Sequence, residues 1–348
     1  MLRDVCVNSS IDLGEPLATR PPVGDDVDVI IPVHNGARYI RECIESVFSQ
    51  TLRPRRVIVV DDGSIDETIS VVSAIQRDNS ALVLHKMERN AGVSAARNAG
   101  IRLSEATFIA FIDADDVWLP NKLALQREVF ESSRRPVGFV HSSYFLIDEV
   151  GNPLAHERGR PLLLRGDVFS RLLRERNILS GSASAVLIKR DILNKAGVFD
   201  DQLFYAEDWD LWLRLAAISE VDHTPEAVVG IRARAGATQQ ARRLDIDRFL
   251  QVMKIYSHWE SEVRDEGEII RELRRDGFRA ALTNLRSFRE MISFYRTLRT
   301  SKQGLARSLY RSEADFWSGL AVAAVKGVYA RLSRLIVRKI ESHSRGVG

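Results

Sequence analysis

Three carboxylates crowd into four positions at Asp113, Asp115 and Asp116, directly behind the apolar run Phe108-Ile109-Ala110-Phe111-Ile112. Like charges this close repel, and each raises its neighbours' pKa unless something cationic sits between them. Two readings follow: a solvated turn closing a buried strand, where Asp is a common residue, or a seat for positive charge. A second acidic group, Glu207-Asp208-Trp209-Asp210, opens a segment with a helical apolar face. Carboxylates at a helix N-terminus are favoured by the dipole, so capping accounts for part of that pattern. A third, Asp61-Asp62-Gly63-Ser64, follows the β-branched run 56–60; Asp61 reads equally as a turn or N-cap residue.

The elements that must position these groups alternate. Residues 27–33 are a strand-like run that ends in the turn cluster Pro32-Val33-His34-Asn35-Gly36, and 38–50 carry Ile40, Cys43, Ile44, Val47 and Phe48 at helical spacing. Strands over 56–60, 81–85 and 107–112 are separated by helices over 66–76 and 93–103. This alternation predicts an α/β fold with a doubly wound, mostly parallel sheet. In such sheets ligands bind outside the carboxyl ends of the strands. Pro32–Gly36, Asp61–Ser64 and Asp113–Asp116 all fall there, so one topological rule collects them into a single crevice. Beyond Pro120 the pattern loosens: helix over 121–130, strand over 138–145, loop over 148–165, strand over 184–188, helices over 190–195 and 207–217, and a short strand within 221–232.

The 348 residues suffice for one large or two ordinary domains. Hydrophobic content of 45% against 28% charged excludes a disordered chain, and a net charge of +3 gives no global attraction to nucleic acid. Cys6 and Cys43 form no disulfide framework, which fits a reducing compartment, and no Cys/His cluster has zinc-ligand spacing. The N-terminus lacks the apolar core of a signal peptide, and no run of about 18 apolar residues marks a transmembrane helix. The expectation is a cytoplasmic protein with a flexible leader at 1–26, a catalytic domain at 27–240 and a helical, Arg-rich region at 241–348.

Five segments, in order, carry a family resemblance: Val-Ile-Ile-Pro-Val-His-Asn-Gly (29–36), Val-Val-Asp-Asp-Gly-Ser-Ile-Asp-Glu-Thr (59–68), Asn-Ala-Gly-Val-Ser-Ala-Ala-Arg-Asn-Ala-Gly (90–100), Phe-Ile-Asp-Ala-Asp-Asp-Val-Trp (111–118) and Glu-Asp-Trp-Asp-Leu-Trp-Leu-Arg-Leu (207–215). Together they resemble the family 2 glycosyltransferases, inverting enzymes with the A-type nucleotide-sugar fold, over about 27–240. The resemblance implies a nucleotide-sugar donor, UDP-linked, whose diphosphate leaving group needs a divalent metal, Mn²⁺ or Mg²⁺. It implies Asp115 as metal ligand, with Asp113 supporting the ribose or the metal. Asp116 supports that group or caps the following segment. Asp62 matches the carboxylate that contacts the base, and Gly63 allows the tight turn. Pro32, His34 and Asn35 end the first strand at the nucleotide; relatives often have Tyr where His34 stands, so His34 stacks on the base or is a plain turn residue. Arg97 matches a position near base and phosphates, against the alternative of a solvated helix face. Asp208 matches the general base that deprotonates the acceptor hydroxyl, with Glu207 orienting that acceptor.

The chain departs from the family where Ile231-Arg232-Ala233-Arg234 replaces a Tyr-Arg-x-His pattern. Arg234 takes the His position; a guanidinium cannot ligate a cation but clamps phosphate, so Arg234 is expected to neutralise leaving-group charge. Gln239-Gln240-Ala241-Arg242-Arg243 lacks the Trp of processive synthases, which points to non-processive transfer. The family resemblance implies a glycan or lipid-linked acceptor, in surface polysaccharide, lipopolysaccharide or glycoprotein assembly. The Arg-rich helices, 316–340 above all, fit packing on the catalytic domain or a second subunit of a homodimer, or peripheral contact with the inner face of the cell membrane. No nucleic-acid module is present. The competing classes are a non-catalytic sugar-nucleotide-binding or scaffold relative, and a nucleotidyltransferase.

Overall fold

The computed structural model describes residues 23–158, 163–176, 178–179, 182–233 and 246–262. The chain divides into two compact units, Met1–Ala237 and Thr238–Gly348. Among the described residues no helix is long and apolar enough to cross a membrane.

The first unit begins with β1 (Val23–Val33), α1 (Ile40–Phe48), β2 (Arg53–Asp61), α2 (Thr68–Asp78), β3 (Leu82–Lys86), α3 (Val93–Leu103) and β4 (Phe108–Phe111). These strands lie side by side in the order β3-β2-β1-β4, all parallel. Helices cover both faces, so successive residues Val29, Ile30 and Ile31 are all buried, the mark of a parallel strand with no wet side. On α1 the buried stripe Ile40, Cys43, Ile44 and Val47 has the period of an amphipathic helix. α3 packs so closely on β1 that a Cβ on Gly100 would stand 2.4 Å from Ile30 Cγ2.

The strand order turns at β1: β2 and β3 run out on one side, and β4 lies on the other. That is the switch point at which open α/β sheets leave a crevice beyond their carboxyl ends. Val33, Asp61 and Phe111 end their strands on this edge, which brings the three acidic and polar turns together as the topology predicts.

The second half of the sheet is mixed. β5 (Val117–Trp118), α4 (Lys122–Ser132), β6 (Val137–Ile147), β7 (Pro153–Arg158), α5 (Phe169–Glu175), a 3-10 turn at Ala183–Ala185, β8 (Val186–Lys189), α6 (Arg190–Ala196), α7 (Glu207–Ala216) and β9 (Glu220–Arg232) follow. β8 runs antiparallel between β4 and β6, β9 lies parallel to β6, and β5 closes the path antiparallel to β9. Three differences from the sequence pattern stand out. β7 occupies part of the expected loop and pairs with β6, α5 was not anticipated, and the short strand expected within 221–232 spans 13 residues. Trp209 and Trp212 on α7 belong to the core; Trp209 Nε1 donates to Leu172 O at 2.9 Å and Trp212 stacks on Phe139.

In the second unit α8 (Ile246–Glu262) buries Phe249, Val252, Met253, Tyr256 and Trp259 along one stripe. Arg234 and the 316–340 segment lie outside the described residues.

Candidate active site

The nucleotide end of the crevice is built by the turns after β1 and β2. Asn35 adopts a left-handed conformation, φ 51°, which Asn tolerates better than most residues. Its backbone N–H donates to Ser64 Oγ at 2.9 Å and its side-chain oxygen accepts from Ile65 N at 2.9 Å, tying the two turns together. His34 Nδ1 lies 2.8 Å from the Asp62 carbonyl, which only accepts, so the proton is on Nδ1 and Nε2 accepts from Asn35 Nδ2. Both ring nitrogens are thereby occupied, and what His34 offers the cleft is its flat face. Asp62 is buried, and its carboxylate accepts from Ala91 N at 2.7 Å and Gly92 N at 2.9 Å, binding the end of β2 to the start of α3. Gly63 has φ 70°, and a Cβ there would meet Asn90 N at 2.7 Å, so a larger residue would push the two loops apart. A cavity of about 200 Å³ opens here, lined among others by Pro32, His34, Tyr39, Val93, Asp113 and Asp115.

The acidic cluster at the end of β4 is not a solvated turn. Arg97, on α3, is buried and donates to Asp113 Oδ1 at 2.8 Å and to Glu207 Oε1 at 3.2 Å. Burial opposes its charge, but Asp113, Asp208 and Glu207 outweigh that cost and hold its pKa above the ordinary arginine value. It therefore sits neither on a wet helix face nor out in the cleft. It is a cation between Asp113 of the acidic cluster and Glu207 of the second acidic group, and leaves Asp115 and Asp116 to other partners. Asp113 Oδ2 also accepts from Ser182 Oγ at 3.1 Å, and its N–H donates to Ser184 Oγ at 3.0 Å. Asp116 is buried; it accepts from Ser184 Oγ at 2.6 Å and from Arg232 N at 3.2 Å. Burial, then repulsion from Asp113 and Asp115, raises the Asp116 pKa well above the usual carboxylate range. Asp116 thus braces the turn from behind, while the half-buried Asp115 lies on the cleft wall.

Glu207 and Asp208 enter from the other side. Ala206, in a left-handed conformation at φ 62°, turns the chain into α7, so both carboxyls stand in its first turn. Burial is the largest influence on Asp208; repulsion by Glu207 and a hydrogen bond shared with that carboxyl add to it, Arg97 opposes, and the pKa is pushed up to about 8. Once ionised, a carboxylate with a raised pKa is a stronger base than a solvated one. Behind the pair, Asn98 clamps the backbone of Phe199 with hydrogen bonds of 2.8 and 3.0 Å. Arg214 joins Asp210 to the carbonyls of Ala196 and Gly197.

The structure thus brings Pro32, His34, Asn35, Asp62, Arg97, Asp113, Asp115, Glu207 and Asp208 to one end of the sheet. Sequence reasoning missed Ser182, Ser184 and Arg232. The serines carry no motif, whereas Arg232 stood inside the quoted 231–234 segment. Among the described residues no group of three His, Cys, Asp or Glu side chains forms a closed cation cage. With Asp113 already held by Arg97 and Ser182, the chain offers a hard cation one or two carboxylates. That suits Mg²⁺-type ions, which complete their shell with phosphate oxygens and water.

Residues 28–197 match the model of glycosyl transferase family 2. A glycosyltransferase of Rickettsia prowazekii (strain Madrid E) is 32% identical over 216 residues, 61% of this chain and 65% of that protein. The amylovoran biosynthesis glycosyltransferase AmsE of Erwinia amylovora is 27% identical over 217 residues, 62% of this chain and 79% of that one. The chain spans just under two thirds of the R. prowazekii protein and 35% of a Rickettsia felis glycosyltransferase. Among solved structures, S. aureus TarS 1–349 in complex with UDP-GlcNAc superposes with a TM-score of 0.62 at 16% identity over 82% of each chain. The mannosyltransferase PcManGT of Pyrobaculum calidifontis, in complex with GDP-Man and Mn²⁺, gives 0.53 at 19% identity over 91% of this chain and 92% of that one. Over residues 28–197 the chain is thus similar to glycosyltransferase family 2, and its first unit has the A-type nucleotide-sugar fold.

Proposed function

We propose that the protein transfers a single sugar, with inversion, from a nucleoside diphosphate (UDP by preference) to a hydroxyl of a glycan or lipid-linked acceptor. The observation that carries this reading is the junction at Arg97: one buried guanidinium joins Asp113 on the nucleotide side to Glu207 on the side of the candidate base. Donor and acceptor chemistry would therefore meet at the end of β4.

Pro32, the face of His34 and the Asp62 turn seat the base, and Asp113 is held by Arg97 in reach of the ribose. Asp115 on the cleft wall, with Asp113 beside it, would hold Mn²⁺ or Mg²⁺, which when bound supplies positive charge to the departing diphosphate. Glu207 would orient the acceptor and Asp208 would take the hydroxyl proton as the oxygen attacks in line, forming one glycosidic bond as the sugar–phosphate bond breaks. Arg234 is proposed as a phosphate clamp, and the 316–340 segment as the part that approaches a membrane. Polysaccharide assembly on the cytoplasmic side is the proposed setting.

Slow hydrolysis of a panel of UDP- and GDP-sugars, with and without Mn²⁺ or Mg²⁺, tests the reading. Turnover of one sugar nucleotide that is lost in Asp115→Ala is expected. Failure of every panel member to bind would sink the donor-site assignment.

A further inference from the structure

Arg232 lies at the end of β9, yet its side chain bonds to the turns after β4 and β6 and to α1. Its side chain is 1% exposed. Nε donates to the Asp115 carbonyl at 2.8 Å, Nη1 to the Asp148 carbonyl at 3.0 Å and Nη2 to Glu42 Oε2 at 2.6 Å. Its backbone N–H donates to Asp116 Oδ1 at 3.2 Å, and the guanidinium lies over the Tyr39 ring, 4.6 Å from the centroid. One side chain therefore fastens the Asp115–Asp116 peptide to α1, to the turn after β6 and to the wall of the cleft.

We infer that Arg232 is a positioning residue for the donor site: by gripping the Asp115 carbonyl from behind, it fixes the direction in which the Asp115 carboxylate meets a divalent cation and diphosphate. This rests on the metal role proposed for Asp115. The physical reason is rotational. A peptide held at its carbonyl by a planar, immobilised guanidinium cannot flip, and the Cα–Cβ bond it carries keeps one direction. The immobilisation is real because the guanidinium is itself held on three further sides, by Glu42, the Asp148 carbonyl and Tyr39. A lysine at this position would keep the charge but lose the fork that spans Asp115, Asp148 and Glu42 together. The geometry also separates two roles within the acidic turn: Asp116 meets the Arg232 backbone through its carboxylate, whereas Asp115 meets the Arg232 guanidinium through its own carbonyl.

The test is Mn²⁺ binding to the full chain in the presence of UDP, or of GDP where UDP does not bind, read from the electron paramagnetic resonance signal of free Mn²⁺. Arg232→Lys is expected to weaken Mn²⁺ binding by about 10–100-fold, the usual effect of removing a group that orients a metal ligand. Nucleotide affinity measured without Mn²⁺ should be unchanged. Glu42→Gln, at a partner that is 47% exposed, should shift Mn²⁺ affinity in the same direction by less, with the fold intact even where Arg232→Lys unfolds. Wild-type Mn²⁺ affinity in Glu42→Gln and in any folded Arg232 variant overturns the inference and leaves the metal site standing. Equal loss of nucleotide and Mn²⁺ binding together with a lowered melting temperature reduces Arg232 to a structural residue, and also overturns it. A wild-type protein that takes up no Mn²⁺ with either nucleotide overturns the metal role of Asp115 and this inference with it.

Discussion

Replacing Asp208 by Asn keeps the shape of the side chain and removes its ionisation. In the folded protein this carboxyl is pushed from 3.8 to about 8, by burial first and then by Glu207. Its folded pKa exceeds its unfolded one, so the stability associated with the proton is fully present below about pH 4 and is lost as pH rises towards about 8. At about 1.4 kcal/mol per unit the whole shift is worth at most about 6 kcal/mol; because Asp208 is only half-buried and solvent screens part of the effect, about 2 kcal/mol is the expected part. For a unit of this size that is about 4–8 °C in Tm. Thermal unfolding of wild type and Asp208→Asn between about pH 4 and pH 9 should show the variant gaining on wild type through this window and levelling above it. Sugar transfer should meanwhile fall by about 10²–10⁴-fold, the usual cost of losing a general base. A stability difference that does not change with pH would refute the raised pKa. Full activity in the variant would refute the catalytic role.

Three further outcomes follow from the packing. Arg97→Met leaves Asp113 and Glu207 without their shared cation and should cost about 3–5 kcal/mol in chemical denaturation at neutral pH; a loss below about 1 kcal/mol would mean the carboxylates are solvated after all. Gly100→Ala forces a Cβ against Ile30 and should cost about 1–3 kcal/mol, read from the urea midpoint at unchanged m-value; a neutral result would show that α3 can lift off β1. Asn35→Ala places Ala at positive φ, at about 1–2 kcal/mol, and removes the side-chain acceptor of Ile65 N while keeping the backbone bond to Ser64 Oγ. Calorimetry should show weaker nucleotide binding, and unchanged affinity would separate this turn from the base site.

The parallel half of the fold was legible because its strands are buried on both faces and its helices carry regular apolar stripes, signals that a single sequence displays. The crevice was legible for a different reason: the ends of β1, β2 and β4 are assembled by topology, and each carries its own polar cluster. The mixed half was less so. β5 has two residues and no pattern of its own, and β7 exists because β6 is long enough to pair with β8 along one part and β7 along another. Ser182 and Ser184 touch Asp113 and Asp116 across about 70 residues of chain, where nothing local marks them. The place of Arg97 on a helix was legible, but its burial was not. Its sequence position shows a helix and leaves open which carboxylates come to meet it.

The placement of β8 has a consequence for how the chain is made. β4 is apolar throughout, and Ile109 and Ala110 complete their pairing only when Ile188 and Leu187 arrive from β8. On the ribosome, the N-terminal parallel half can therefore assemble while one edge of its sheet stays open, and nothing made before β8 covers that edge. β6, already synthesised, waits on the same strand. Unpaired apolar edges are where nascent chains associate wrongly. The interval between synthesis of β4 and synthesis of β8 is thus one in which the first unit is exposed to aggregation, and substitutions that weaken β8 should lower soluble yield before they lower activity.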